Sequence, residues 1–257
     1  MTLVLEWLPT FLLVLVRLTT FFTAAPIFSL SGLPNTFKIG LAFFLTLVIM
    51  PTVGPADIPI NMAILGFVVK EALIGLALGF VAALVLYTIQ IAGAFIDFQM
   101  GFAIANVVDP QTGAQIPIIG NFKYTLAMLF LLAVNGHHLM IEGIVRSYRF
   151  VGLEQYFVSL GHEQVAYFIT TLFVQMFLIA FQLSLPIVGA LFLVDVTLGI
   201  IARTIPQLNV FVVGLPLKIF IGFVMLLLTL PIFFYLLQAL IGEMVQAMSD
   251  LLTLIGA

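Results

Sequence analysis

One constellation in this chain comes close to a chemical site: Asn135-Gly136-His137-His138 followed by Glu142. His138 and Glu142 lie four apart, so on a helix they share a face and could ligate a metal. A metal hydrolase needs a third ligand and an activated water. The remaining histidine, His162, falls in a polar connection. No HExxH, GxSxG, P-loop or GxGxxG pattern occurs. Cysteine is absent, which excludes disulfides, thiolate chemistry and Cys-ligated metal or iron–sulfur sites. The histidine pair therefore reads as a polar helix contact. The expectation is a protein that is not an enzyme, with no catalytic residue, no cofactor and no metal.

A second group consists of charges in greasy surroundings: Arg17, Lys70, Glu71, Asp97, Asp195 and Lys218. A charge at mid-bilayer costs about 2.5–3.5 kcal/mol on insertion scales. One reading is snorkelling, or ion pairs that only hold helices together. The other is a water-accessible path or subunit contacts, and the number of such charges favours it for the set. A third group is the stretch GFAIANVVDPQTGAQIPIIGN, residues 101–121, which interrupts apolar sequence and carries one formal charge, Asp109. Non-helical backbone at membrane depth is allowed only where protein covers it or where it lines water. A surface connection between two spans is the plain alternative.

The elements that must position these residues are membrane helices. The chain has 257 residues, 63% hydrophobic and 7% charged, with mean hydropathy +1.31. Soluble domains carry about 25% charged residues. The expected class is an all-α, polytopic integral membrane protein. Six hydrophobic stretches near the roughly 20 residues of a span lie at 4–26, 39–53, 60–96, 122–145, 165–194 and 208–242. MTLVLEWLPTFLLVLVRL lacks a basic leader region and carries Glu6 and Arg17, so it reads as a retained first membrane segment. The third and sixth stretches are over-long, and Pro186, Pro216 and Pro231 lie inside greasy runs. Kinked or broken helical hairpins are expected in place of straight rods. Gly75, Gly79 and Ala83 recur every four residues, a spacing that lets two helix backbones approach closely. EMVQAMSDLLTLIGA places Glu243, Gln246, Asp250 and Thr253 on one stripe of an amphipathic helix. Net charge is −3 and basic residues are scattered, which speaks against nucleic acid. The even spread of Lys and Arg does not orient the chain. No linker marks a soluble domain, so 1–257 reads as one membrane domain. A small-solute transporter is a rival, but no internal duplication is visible; a component of a multi-subunit channel fits better.

The stretch LGIIARTIPQLNVFVVGLPLKI, residues 198–219, is the most specific in the chain. Physically it reads as a helix break. Pro206 stops one helix, and Gln207 and Asn209 can satisfy the backbone groups left open. Asp195 is the candidate partner for Arg203. Its Arg203, Pro206, Gln207, Leu208, Asn209, Phe211, Pro216 and Lys218 resemble the signature of the FliR family of flagellar biosynthetic export proteins. Gly-Phe-x-x-Ala at 101–105 with Asp109-Pro110 and Gly113, Asn135-Gly136-His137, and the segment from Arg17 to Pro26 fit the same family. The resemblance covers nearly the whole chain. The equivalent subunits of virulence type III secretion systems are the alternative.

The resemblance implies more than composition does. It implies one subunit of a protein export gate, joined to FliP and FliQ in a pore of the bacterial inner membrane at the flagellar basal body. FlhB and FlhA are the implied further partners, and unfolded flagellar proteins the implied cargo. About 1–145 would be FliP-like and about 165–257 FliQ-like. Arg17, Asp195, Arg203, Pro206, Gln207, Asn209, Phe211 and Lys218 would serve assembly. The loop over 106–122 would plug the closed pore. Val107, Val108, Ile116, Pro117, Ile118 and Ile119 would seal it by dewetting, beside Asn106. Asp109, Pro110, Gln111, Thr112 and Gly113 would make its turn. Phe122 is the nearest aromatic of this stretch.

Overall fold

The computed structural model describes residues 2–30, 32–59, 62–102, 117–156, 163–205, 207 and 209–256; side chains are described from Glu6 onward. Among the described residues all regular structure is helical: α1 (Thr2–Ala24), α2 (Asn35–Val53), α3 (Ile64–Met100), α4 (Ile118–Ala133), α5 (Gly136–Phe150), α6 (Glu163–Thr204) and α7 (Val210–Gly256). Five of these are long and apolar enough to cross a membrane. The pair α4 and α5, bent by 73° at its break, is a sixth candidate. The all-α, polytopic expectation therefore holds.

The break falls at a different place from the one the prolines suggest. α6 runs through Pro186, and α7 through Pro216 and Pro231. Each proline removes one hydrogen bond, and the 42 and 47 residues of these helices supply bonds on both sides of each gap. The fourth stretch is the one that breaks. Asn135 adopts the left-handed conformation at φ 57, its carbonyl accepting from His138 N–H at 3.0 Å. Asn tolerates that region better than most residues, and Gly136 follows directly. α3 ends in a Schellman motif: Phe102 N–H donates to Asp97 O (3.0 Å) and Gly101 N–H to Phe98 O (3.2 Å), with Gly101 at φ 90. Only glycine takes that φ without strain.

The helices gather into two compact units, and α3, α4, α6 and α7 contribute to both. Unit 1 holds residues 1–85, 131–173 and 241–257. In it the Gly75–Gly79 stripe packs directly on α1. A Cβ at Gly75 would collide with Thr20 Oγ1 and the Arg17 carbonyl, and one at Gly79 with the backbone of Phe21 and Ala25 at 2.9 Å. The close approach expected from the spacing is present. The last turns of α7 bury Met244, Ala247, Met248, Leu251, Leu252 and Ile255, with Met248 over Gly143 of α5. Glu243, Gln246, Asp250 and Thr253 all face outward, as their stripe predicts. Thr10 of α1 ties down the chain after α2: its Oγ1 donates to Gly54 O and accepts from Ala56 N–H at 2.8 Å.

Unit 2 holds residues 86–130 and 174–240. Its core joins Ile96 and Met100 of α3, Ile119 of α4, Ile187 and Leu191 of α6 and Leu226 of α7. α3 and α4 meet glycine on glycine: a Cβ at Gly93 would overlap the backbone of Gly120, and one at Gly120 would lie 2.9 Å from Gln90 O.

Candidate functional site

Three polar arrangements stand out, two in unit 2 and one in unit 1. The unit 1 arrangement explains how buried charges survive in so apolar a chain. Arg17 and Glu71 are fully buried and form an ion pair through Arg17 Nε and Glu71 Oε2. The guanidinium also donates to Ser147 Oγ (2.7 Å) and Val151 O (3.0 Å), and lies 4.1 Å from the centre of the Tyr148 ring. Lys70 reaches the other carboxylate oxygen, Glu71 Oε1, at 2.9 Å. Its ammonium donates to three carbonyls, those of Gly152 (3.0 Å), Leu153 (2.8 Å) and Gln155 (2.9 Å). Two cations thus share one carboxylate and face the C-terminal end of α5. The carbonyls they hold belong to the chain just past α5, outside its ladder of helical hydrogen bonds, and the two cations supply their donors. Arg17 suits this place because its planar fork makes several bonds at once. The cluster holds α1, α3 and the chain after α5 together. Its role is structural: each guanidinium nitrogen of Arg17 and the ammonium of Lys70 has a partner within the chain.

The unit 2 arrangements surround the interrupted stretch and the helix break. Asp97, 6% exposed, sits at the root of the loop. Its carboxylate accepts Ile119 N–H (3.1 and 3.0 Å) and Gly120 N–H (3.2 Å), so it caps the N-terminus of α4 from another helix. Its own carbonyl accepts Phe102 N–H. One residue thereby holds both described ends of the segment between Phe102 and Pro117. Of the proposed plug residues, 106–113 and Ile116 lie outside the described residues. Pro117 is half-buried, Ile118 and Phe122 are exposed, and Ile119 is buried in the core of unit 2. Ile119 is therefore an anchor and not part of an exposed sealing face.

The helix break forms as expected between Thr204 and Val210, but its ion pair differs. Asp195 pairs with Lys218 at 2.9 Å and accepts from Gln99 Nε2 at 2.8 Å. Arg203, the partner expected for it, is exposed in the last turn of α6. Asp195 and Arg203 are eight apart on one helix, two turns away, whereas the fold brings α7 alongside. Asn209 caps α7: its Oδ1 accepts from Phe211 N–H (3.1 Å) and Val212 N–H (3.4 Å). Gln207 and Phe211 are exposed, and Pro206 lies outside the described residues. Glu142, the would-be metal ligand, pairs with Arg146 of its own helix, and the His137 and His138 rings lie 4.2 Å apart. Among the described residues no three His, Asp or Glu side chains converge on one point.

Sequence reasoning missed several participants. Ser147, Tyr148 and the 152–155 carbonyls gave no signal, because a serine and backbone oxygens after a helix are common. Gly93 and Gly120 are contact glycines whose spacing forms no repeat. Lys123 went unexamined as a buried charge: it is 6% exposed, and its ammonium lies 4.8 Å from the centre of the Phe233 ring. The sequence signal was present, a lysine inside an apolar stretch.

Comparison with known proteins bears on what these sites serve. Residues 8–244 match the family described as bacterial export proteins, family 1. The chain is 48% identical to the flagellar biosynthetic protein FliR of Bacillus subtilis (strain 168), over 98% of each chain. It is 29% identical to FliR of Escherichia coli (strain K12), over 97% of this chain and 95% of that one. FliR of Aquifex aeolicus (strain VF5) is 26% identical over 88% of this chain and 87% of its own. Matches of this extent, on a polytopic helical chain, lead to one conclusion: the protein belongs to the bacterial export proteins of family 1, the family of the flagellar biosynthetic protein FliR.

Proposed function

We propose that the chain is a non-enzymatic subunit of the flagellar protein export gate, building with FliP and FliQ the inner-membrane pore for unfolded flagellar proteins, one copy per complex. The observation that carries this reading is a mismatch of length. α6 exposes large apolar residues from Tyr167 to Ile200, about 50 Å at 1.5 Å per residue. The hydrocarbon core is about 30 Å thick, and even a tilt of about 40° leaves roughly 38 Å to cover. Only 22% of the most apolar window of α6 and 17% of that of α7 is buried, against 67% for α3. Lipid is too thin to cover such surfaces, so other apolar helices must. The virulence-system equivalent would need the same cover; a transporter acting alone would lack it.

In this reading FlhB and FlhA are further partners, and the parts at about 1–145 and 165–257 are FliP-like and FliQ-like. Asn209 and the Asp195–Lys218 pair shape a hairpin tip that Arg203, Gln207 and Phe211 present to neighbours. The loop over 106–122, rooted on Asp97, plugs the closed pore. The test is co-purification with FliP and FliQ in mild detergent, followed by imaging and ion-flux measurement in vesicles. A ring that becomes ion-leaky when residues 110–117 are deleted supports both parts. Deletion with no leak returns the loop to an ordinary connection. A chain that stays alone removes the gate reading.

A further inference from the structure

The last turns of α7 carry an exposed polar stripe, Glu243, Gln246, Asp250 and Thr253, and the first turn of α6 adds Glu163 and Gln164, also exposed. No cation among the described residues pairs with Glu163, Glu243 or Asp250; the carboxylates that are paired are Glu71, Glu142 and Asp195. Between the two helices lies an open-sided groove of about 460 Å³. It is lined by Glu163, Gln164, Tyr167, Phe168 and Thr171 of α6 and by Leu254 of α7, all in unit 1. The five α6 positions fall on one helix face. Asp250 precedes Leu254 by one turn on the same face of α7. The groove therefore has an apolar, largely aromatic floor and an acidic rim.

That combination selects its occupant. The volume is that of a site for a small ligand or a few side chains. Tyr167 leaves 73% of its surface exposed, an aromatic ring one turn from the Glu163 carboxylate. A ring face attracts a cation through its quadrupole, and a carboxylate accepts the N–H groups of that same cation. An acyl chain of a phospholipid would suit the floor, but its phosphate would then meet unpaired carboxylates, and like charges so placed are unfavourable. We propose that this groove docks a segment of a second protein chain, which sets a large apolar side chain on Tyr167, Phe168 and Leu254 and an Arg or Lys on Glu163. The proposal rests on the reading of the chain as one subunit of an assembly, and it adds a charged recognition point at one end of the apolar face of α6. The apolar contact supplies area, and the cation fixes which segment fits and in what register.

The test replaces Gln164, on the rim, by the photo-reactive residue p-benzoylphenylalanine in the full chain co-expressed with the export apparatus. After irradiation the linked residue of the partner is mapped by mass spectrometry. The proposal expects one protein partner, linked through an apolar segment that carries Arg or Lys within about one helical turn. Glu163→Lys sets like charges together and should cut the cross-link about tenfold; Tyr167→Ser, which removes the ring, should cut it as well. Both side chains are exposed, so the purified single chain should melt with the parent in mild detergent in each case. Reversing the partner's cation to Glu restores the cross-link in the Glu163→Lys background. A cross-link that Glu163→Lys leaves undiminished overturns the proposal, as does a mapped segment without a cation. Links only to lipid, or only within this chain, overturn it in favour of those occupants. An intact complex with FliP and FliQ that yields no cross-link removes this proposal and leaves the assembly reading standing, whereas a chain that stays alone in co-purification removes both.

Discussion

The Arg17–Glu71–Lys70 cluster makes a prediction with a sign that simple contact counting does not give. Glu71→Gln keeps the shape of the side chain and removes the only carboxylate between two buried cations. Removing one partner of a buried pair costs about 3–5 kcal/mol, because a charge is left uncompensated. Arg17→Met and Lys70→Met each leave a neutral pair behind. Each loses hydrogen bonds to Ser147 and Val151, or to the 152–155 carbonyls, at about 1–3 kcal/mol. Glu71→Gln is therefore the worst single substitution. At about 2–4 °C per kcal/mol for a chain of this size, its midpoint drops by on the order of 10 °C. The double variant Arg17→Met with Glu71→Gln should melt above Glu71→Gln alone, since it removes one of two mutually repelling cations. Thermal melting in mild detergent reads this out through Trp7, the single tryptophan of the chain, on α1. A double variant that melts below both singles, by the sum of their losses, would refute the shared-carboxylate reasoning.

Other expectations follow from the loop root and the contact glycines. Asp97→Ala removes the acceptor for Ile119 and Gly120 N–H, a loss of about 1–2 kcal/mol. Hydrogen exchange at these amides should then quicken by about 5- to 30-fold at 1.4 kcal/mol per decade, and unchanged exchange would show that Asp97 does not hold the root. Gly75→Ala drives a Cβ into the Arg17 carbonyl and should destabilise the purified chain by about 1–3 kcal/mol. Gly189→Ala in α6, where nothing lies within 4 Å, should stabilise the same chain by about 0.5–1 kcal/mol; equal melting points for the two variants would count against the packing described for α1 and α3. Asp195→Asn, at a pair with the carboxylate side chain 42% exposed, should shift stability by less than about 1 kcal/mol.

Much of this protein was legible in its residues. The membrane class followed from 7% charge, because so few charged groups cannot cover a water-facing surface. The Gly75–Gly79 contact and the outward stripe of Glu243, Gln246, Asp250 and Thr253 followed from helical periodicity, a local property. So did one cap: Asn209 opens α7 through bonds to the next few residues. The family followed from 101–113 and 198–219, where particular residues are ordered in a run. Pairing was not legible. Lys218 and not Arg203 takes Asp195 because α7 lies beside α6, a fact of packing that no spacing along the chain encodes. Nor could hydropathy distinguish a proline that a 47-residue helix absorbs from an asparagine that turns the chain by 73°. Asp97 looked like one more charge at the end of a greasy run; only the approach of Gly120 to Gly93 made it the cap of α4. Lys70 and Arg17 looked like liabilities until the chain after α5 supplied the carbonyls they hold. The sequence by itself determined which segments avoid water, since that depends on the residue types within each stretch. Tertiary structure alone decided which charges meet, and gave Lys123 an aromatic ring in place of a carboxylate among the described residues, because electrostatic satisfaction depends on residues that the chain brings together from 22 to 134 positions apart.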